Sequence, residues 1–388
     1  MKVLYGLNSN GQGHINRSKV FIDQLEKDGH EVHVLFSGRK PPEYALEMGS
    51  NTIYIYGPED LYKNRRVDFG KMLSQNLANI SGFIDKRREI IAFIGKENYD
   101  LIISDFENFS CYAAKRLCKP IIIINRQNAI FHPSNKLAPG NAFEKMSLRM
   151  LYAIMQPHYT HAYSLDFRQD IKTIENDTLF PLVWKPELND YDITIDNHIT
   201  AYLAWYDPEK IIETFSKFPK QTFYVYGFNK YKKVKNIVFK ETSRDGFLKD
   251  LVSSKGIIGN GGFNLSWEAC LLNKFIWSIP IVAQYEQMTN AYRLEQNGIG
   301  FVTYKVSEAS LENYLKWIES QDYRPKTNLT ILQPSDLLKH MYSFLDNYNR
   351  QYLPNRRQLK RDIKVDVNRW RMRQEIRKEI SIHNSSLS

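Results

Sequence analysis

Gly256-Ile257-Ile258-Gly259-Asn260-Gly261-Gly262-Phe263-Asn264-Leu265-Ser266-Trp267-Glu268-Ala269 reads as a strand, a glycine turn and a helix. That is the join of a βα unit in a parallel sheet, where glycines permit left-handed backbone angles and close approach of a ligand. Free N–H groups and the dipole at the helix start stabilise a diphosphate there without a metal. Glu268 falls on the second turn of the helix, within reach of a ribose diol. A surface glutamate supporting its own helix is the plainer reading. The sequel, Pro280-Ile281-Val282-Ala283-Gln284-Tyr285-Glu286-Gln287-Met288-Thr289-Asn290-Ala291, weighs for the first. It places amides and an acid at the end of the next strand, suited to forked hydrogen bonds onto sugar hydroxyls.

Outward from this unit, short β-branched runs alternate with amphipathic segments across residues 1–320, the pattern of repeated βα units. Strands are expected at 2–7, 31–37, 52–56, 101–105, 121–125 and 161–165, with helices at 17–27, 71–96 and 142–155. A second series is expected at 200–204, 222–226, 237–239, 256–259, 275–278 and 300–303. Between them, Phe180-Pro181-Leu182-Val183-Trp184-Lys185-Pro186-Glu187-Leu188-Asn189-Asp190 breaks the periodicity with two prolines. This predicts an α/β chain of two doubly wound domains, 1–178 and 197–335, with a linker at 179–196 and a helical tail at 336–388. Ligands of such sheets bind at the carboxyl ends of the strands, so two facing domains enclose one cleft.

Strand one leads into Gly6-Leu7-Asn8-Ser9-Asn10-Gly11-Gln12-Gly13-His14-Ile15-Asn16-Arg17-Ser18. This loop lacks the pattern G-x-G-x-x-G, and strand two ends in Ser37-Gly38-Arg39-Lys40 without a ribose-binding acid, which excludes a nicotinamide site. His14, at the helix entrance behind Gly11 and Gly13, is placed to take a proton from a hydroxyl. Asp105, ending the strand Leu101-Ile102-Ile103-Ser104-Asp105, is the natural carboxylate to fix its tautomer. Each has a plainer reading as a helix cap, His14 of the first helix and Asp105 of the helix near Phe109.

The 388 residues suffice for two cores, and 43% hydrophobic with 25% charged residues is the balance of a soluble globular protein. The longest aliphatic run, Ile121 to Ile124, cannot span a bilayer. Residues 1–7 have no signal-peptide core and read as the first strand of a cytosolic protein. Cys111, Cys118 and Cys270 lack metal-site spacing and read as reduced core thiols. Asp190-Tyr191-Asp192 matches a D-x-D metal motif, but it falls in the linker and reads as accidental. No metal and no cofactor are expected.

At these residues the chain resembles the GT-B nucleotide-sugar glycosyltransferases, above all the branch holding the peptidoglycan enzyme MurG and the plant and antibiotic enzymes. Gly262 and Glu268, then Pro280, Gln284, Glu286-Gln287 and Asn290-Ala291, reproduce the family's donor signature in order and spacing. Gly11-Gln12-Gly13-His14 looks like its acceptor loop. The resemblance covers about residues 1–320 and implies two Rossmann-like domains and an inverting, metal-independent transfer from a nucleotide sugar, UDP-linked as first choice. It implies that Glu268 binds the ribose, that the turn Gly261-Gly262-Phe263 holds the diphosphate, and that Glu286 and Gln287 contact the sugar with Gln284 and Asn290 nearby. His14 with Asp105 matches the plant branch's base and its orienting acid. The family's usual proline before the strand after Glu268 is replaced at Asn273-Lys274-Phe275.

The net charge is +10, and residues 341–388 carry 11 Lys and Arg against 5 Asp and Glu. Arg356-Arg357-Gln358-Leu359-Lys360-Arg361, Arg369-Trp370-Arg371-Met372-Arg373 and Arg377-Lys378 suit anionic lipid headgroups, nucleic-acid phosphates, or a solvated helix packed across both domains. A lipid-linked or cell-envelope glycan is the first expected acceptor, with a cytoplasmic or inner-membrane-face location. A small molecule, and DNA with a hydroxymethylated base, stay open. A nucleotide-sugar hydrolase and a non-catalytic sugar-nucleotide sensor are the competing functions.

Overall fold

The computed structural model describes residues 1–38, 51–57, 62–63, 66–67, 80–228, 230–281 and 284–352. Residues 353–388, with the basic clusters read from the sequence, lie outside the described residues, as do Val282 and Ala283.

The first sheet contains β1 (Lys2–Asn8), β2 (Glu31–Gly38), β3 (Thr52–Tyr56), β4 (Leu101–Asp105), β5 (Ile121–Asn125), β6 (His161–Asp166), β7 (Lys172–Ile174) and β8 (Asp177–Val183). Helices α1 (Gln12–Lys27), α2 (Ile80–Glu97), α3 (Asn108–Leu117), α4 (Gln127–Phe131) and α5 (Ala142–Met155) lie between them. The strand order is β3-β2-β1-β4-β5-β6-β8, all parallel, with β7 antiparallel on β8. Strands covered on both faces need continuous apolar runs, and Ile121, Ile122, Ile123 and Ile124 are all fully buried.

The second sheet repeats the plan with β9 (His198–Tyr202), β10 (Thr222–Tyr226), β11 (Lys232–Val234), β12 (Ile237–Phe239), β13 (Gly256–Gly259), β14 (Ile276–Ser278) and β15 (Gly300–Val302). Its helices are α6 (Pro208–Phe215), α7 (Arg244–Ser253), α8 (Phe263–Leu271), α9 (Tyr285–Gln296) and α10 (Glu308–Glu319). The order is β11-β12-β10-β9-β13-β14-β15. In each sheet the winding reverses beside the first strand, between β1 and β4 and between β9 and β13. Adjacent loops there run to opposite faces and open a crevice at the strand ends. Both glycine loops of the sequence leave from these two reversal points.

The domain limits differ from those read in the sequence. Residues 179–183 of the expected linker belong to β8, where Pro181 stands opposite Asp166 of β6. Proline is tolerated there because the outer side of β8 is paired only at residues 177–179 and 182–183, which leaves Pro181 in a gap of that ladder. The connection proper begins at the 3-10 turn Pro186–Asp190. The expected second domain also ends early. The strand β16 (Ile331–Leu332) pairs in parallel with Leu182 and Val183 of β8, returning the chain to the first sheet.

The helix α11 (Pro334–Tyr352) follows it, burying Leu337, Leu338, Met341 and Leu345 in the cluster that holds Val3, Phe21 and Phe180. The same cluster runs through Phe167, Val183 and Leu188 into Phe263, Trp267 and Leu271, so the two halves share one apolar seam. Cys111 and Cys270 are buried, but Cys118 is exposed, at the left-handed residue that ends α3. No helix among the described residues is long and apolar enough to cross a membrane.

Candidate active site

Neither cap reading survives. α3 is capped by Glu107, whose carboxylate accepts from the N–H groups of Phe109 and Ser110, and α1 begins at Gln12 behind Gly11. Asp105 is fully buried and points the other way, accepting at 2.9 Å from His14 Nδ1. Phe106, held at φ 56°, stacks on the imidazole at 5.6 Å. Arg17, quoted with the first loop but given no role there, is buried and grips both carboxylate oxygens, Nε at 2.8 Å and Nη2 at 2.6 Å, while Ser18 Oγ adds a bond of 3.1 Å.

Burial works against the Asp105 carboxylate, but the Arg17 guanidinium and then His14 hold it below the usual carboxylate range. Arg17 Nη2 also lies 3.0 Å from His14 Nδ1. A guanidinium only donates, so the two contacts to Nδ1 require opposite tautomers. The ionised Asp105 decides for a hydrogen on Nδ1, which leaves Nε2 as the basic nitrogen.

On the other wall Gly261 adopts φ 76°, and a Cβ there would lie 2.9 Å from both Gln287 O and Ser278 Oγ. Gly262 precedes α8 without a side-chain cap, and a Cβ on it would meet nothing within 4 Å. No side chain caps the start of α8 and nothing crowds the residue before it, the arrangement in which first-turn amides bind phosphate. Around the turn, both side-chain atoms of Asn260, Ser278 Oγ and Gln284 Oε1 are buried without hydrogen-bond partners among the described residues. Each such group costs about 1–3 kcal/mol, and together they fit a polar ligand in front of the turn. Gly261→Ala is expected to weaken nucleoside diphosphate binding at least about tenfold, since a left-handed Cβ alone costs roughly 1–2 kcal/mol. Calorimetric titration checks it.

The other sequence-predicted residues divide into ligand-facing and supporting ones. Asn290 is fully buried, donating to Gly261 O at 3.1 Å and accepting from Arg126 Nε at 3.2 Å, so it shapes the turn rather than touching a sugar. Gln287 is likewise engaged, its Oε1 accepting from Ile281 N at 3.0 Å. Phe263 packs among Phe167, Trp267 and the guanidinium of Arg126, so only its backbone is available to a phosphate. Glu286 is half-buried and accepts from Gln127 Nε2 at 3.4 Å.

Glu268 departs furthest from the open ribose acceptor expected. It is buried, and its Oε1 takes Lys185 Nζ at 2.6 Å and Arg244 Nη2 at 2.7 Å. Burial opposes its charge, yet these two cations hold the carboxyl below its usual range. Lys185 came from the stretch read as a linker, where its burial had no sequence signal. Lys274, in the stretch Asn273-Lys274-Phe275 where the family's proline is expected, donates to the carbonyls of Thr194 and Ser254 and ties that turn to its neighbours. Asp190 and Asp192 are exposed, and no group of three His, Cys, Asp or Glu suited to a metal stands among the described residues.

The two walls form one site. Arg17 Nη2 also donates to Gln127 Oε1 at 3.3 Å, so hydrogen bonds run from His14 through Asp105, Arg17 and Gln127 to Glu286. Asn264 of α8 donates to Gly13 O at 2.9 Å. Arg126 and Arg293 share Asp166 across the cleft, each at 2.9 Å.

Solved structures share this architecture. The spinosyn rhamnosyltransferase SpnG complexed with thymidine diphosphate aligns with a TM-score of 0.55 at 14% identity, over 88% of this chain and 100% of that one. SnogD of Streptomyces nogalater gives 0.53 at 14%, over 88% and 99%. MurG of Acinetobacter baumannii gives 0.53 at 12%, over 88% and 100%. These likenesses show the GT-B fold. No curated protein sequence matches the chain. The family model described as glycosyl transferase family 1 matches residues 1–319, and the chain belongs to that family.

Proposed function

We propose that this glycosyltransferase moves a sugar from a nucleoside diphosphate sugar to an acceptor hydroxyl with inversion. His14 Nε2 takes the hydroxyl proton as the oxygen attacks the anomeric carbon. The bond to the diphosphate breaks, and its charge settles on the amides at the start of α8. Glu286 receives hydroxyls of the sugar. Attack from the face opposite the leaving group inverts the centre. The diphosphate is assigned to amides and a helix dipole, not to a metal.

The observation that carries this reading is the hydrogen-bond chain from His14 to Glu286, which joins the base to the donor wall. UDP is the first choice of nucleotide, and the relative solved with thymidine diphosphate makes dTDP the second. A lipid-linked or envelope glycan is the first acceptor. A small molecule follows, since SpnG was also solved with its spinosyn aglycone.

Thermal-shift measurements with UDP, dTDP and GDP test the donor side. One nucleotide is expected to raise the melting temperature by a few degrees, about 2.7 kcal/mol of stabilisation at 100 times its Kd. If none shifts it at millimolar concentration, the donor assignment and the sensor alternative both fall. Rapid release of free sugar in the absence of an acceptor would instead favour the hydrolase.

A further inference from the structure

Helix α5 has two apolar faces. Its inner face places Leu148 and Tyr152 against Ile130, Ala138 and Tyr285, and Tyr152 meets Phe106, the ring stacked on His14. Its outer face carries Phe143, Met146, Met150 and Ile154, exposed by 72%, 58%, 59% and 55%. These positions fall on one side at helical spacing, and the loop before them exposes Leu137 as well. A monomeric protein seldom exposes such a row without a partner. Between residues 132 and 158 the basic residues are Lys136, Lys145 and Arg149, and the only acid is Glu144. Lys145 and Arg149 extend over the rings of Tyr285 and Phe131, so their charge lies between the exposed row and the cleft.

We propose that the outer face of α5 docks on the surface of a membrane bearing anionic headgroups and presents a bilayer-held acceptor to His14. A helix lying in the interface buries one apolar face among the acyl chains and keeps its cations at the headgroups. The flanking charges match that partner. A second copy fits less well. The four side chains offer on the order of 100 Å² each, about half of the ~800 Å² per partner that a stable protein interface buries. The acceptor class rests on the function proposed above. Membrane binding is read without turnover, so either inference can fail alone.

The test is co-sedimentation of the full chain with vesicles of phosphatidylglycerol and phosphatidylethanolamine, beside neutral phosphatidylcholine vesicles. The wild type is expected on the anionic vesicles, and Met146→Ser with Met150→Ser is expected to lower its partition at least about tenfold. Because both residues are exposed, the melting temperature of the double variant should not change. Absence of vesicle binding by the wild type overturns the proposal, as does equal binding by the double variant. A wild-type dimer in light scattering that the double variant dissociates also overturns it, and assigns the face to a second copy.

Discussion

Replacing His14 with glutamine is expected to lower kcat by about 10²–10⁴-fold while nucleotide affinity and melting temperature stay close to wild type. Glutamine preserves a donor toward Asp105 but supplies no basic nitrogen, and His14 is partly exposed, so the change leaves no buried charge unpaired. The companion Asp105→Asn is a poorer probe. Arg17 binds both Asp105 oxygens, and neutralising that carboxylate leaves a buried guanidinium without its counter-ion, a loss of about 3–5 kcal/mol.

Arg17 also alters what Asp105 can do. Its guanidinium binds both carboxylate oxygens, so Asp105 is paired and held in place independently of the histidine. In the proposed mechanism Asp105 serves to fix the tautomer and the ring plane, and Phe106 stacks on one face of the imidazole. Steady-state kinetics with calorimetric nucleotide binding decides the matter. A kcat within about tenfold of wild type in His14→Gln would remove the histidine as the base.

The chemistry legible in the sequence lay where a local signal coincided with a topological one. The glycine turns follow β1 and β13, and both strands flank a reversal of the winding, so reading strand, turn and helix located them. His14 and Asp105 stand 91 residues apart, yet His14 opens α1 just after β1 and Asp105 ends β4, the two strands of one reversal point, which brought them together. Asn260, quoted with its turn, gave no sign that its side chain would be buried and unpartnered. Arg17, Arg126 and Lys185 were silent for another reason. A cation buried in a seam between two domains has the same local pattern as one on a helix surface or in a linker. The tail was expected to be helical, but no sequence signal said that α11 packs on the first domain. The two-residue β16 has no period at all, and only its partner strand defines it.

Glu268→Ala is expected to have the largest effect on stability and to abolish nucleotide binding. Lys185 is fully buried and paired with Glu268, so truncation leaves an uncompensated ammonium and costs about 3–5 kcal/mol, roughly 10 °C in melting temperature. Arg244 keeps Glu187 as a partner, so the loss centres on Lys185. A binding defect in this variant alone would not separate a ribose contact from collapse of the turn. Combining Glu268→Gln with Lys185→Met separates them, because both buried charges leave together and a well-packed apolar replacement of an ion pair is commonly neutral or stabilising. The double variant is expected to regain most of the melting temperature and still bind nucleotide at least about tenfold more weakly than wild type, a carboxylate bond to a hydroxyl being worth about 1.5–3 kcal/mol. Recovery of both together would mean that Glu268 serves only as the counter-ion of Lys185 and Arg244, and the ribose would then have to be held by other residues near the Gly261 turn.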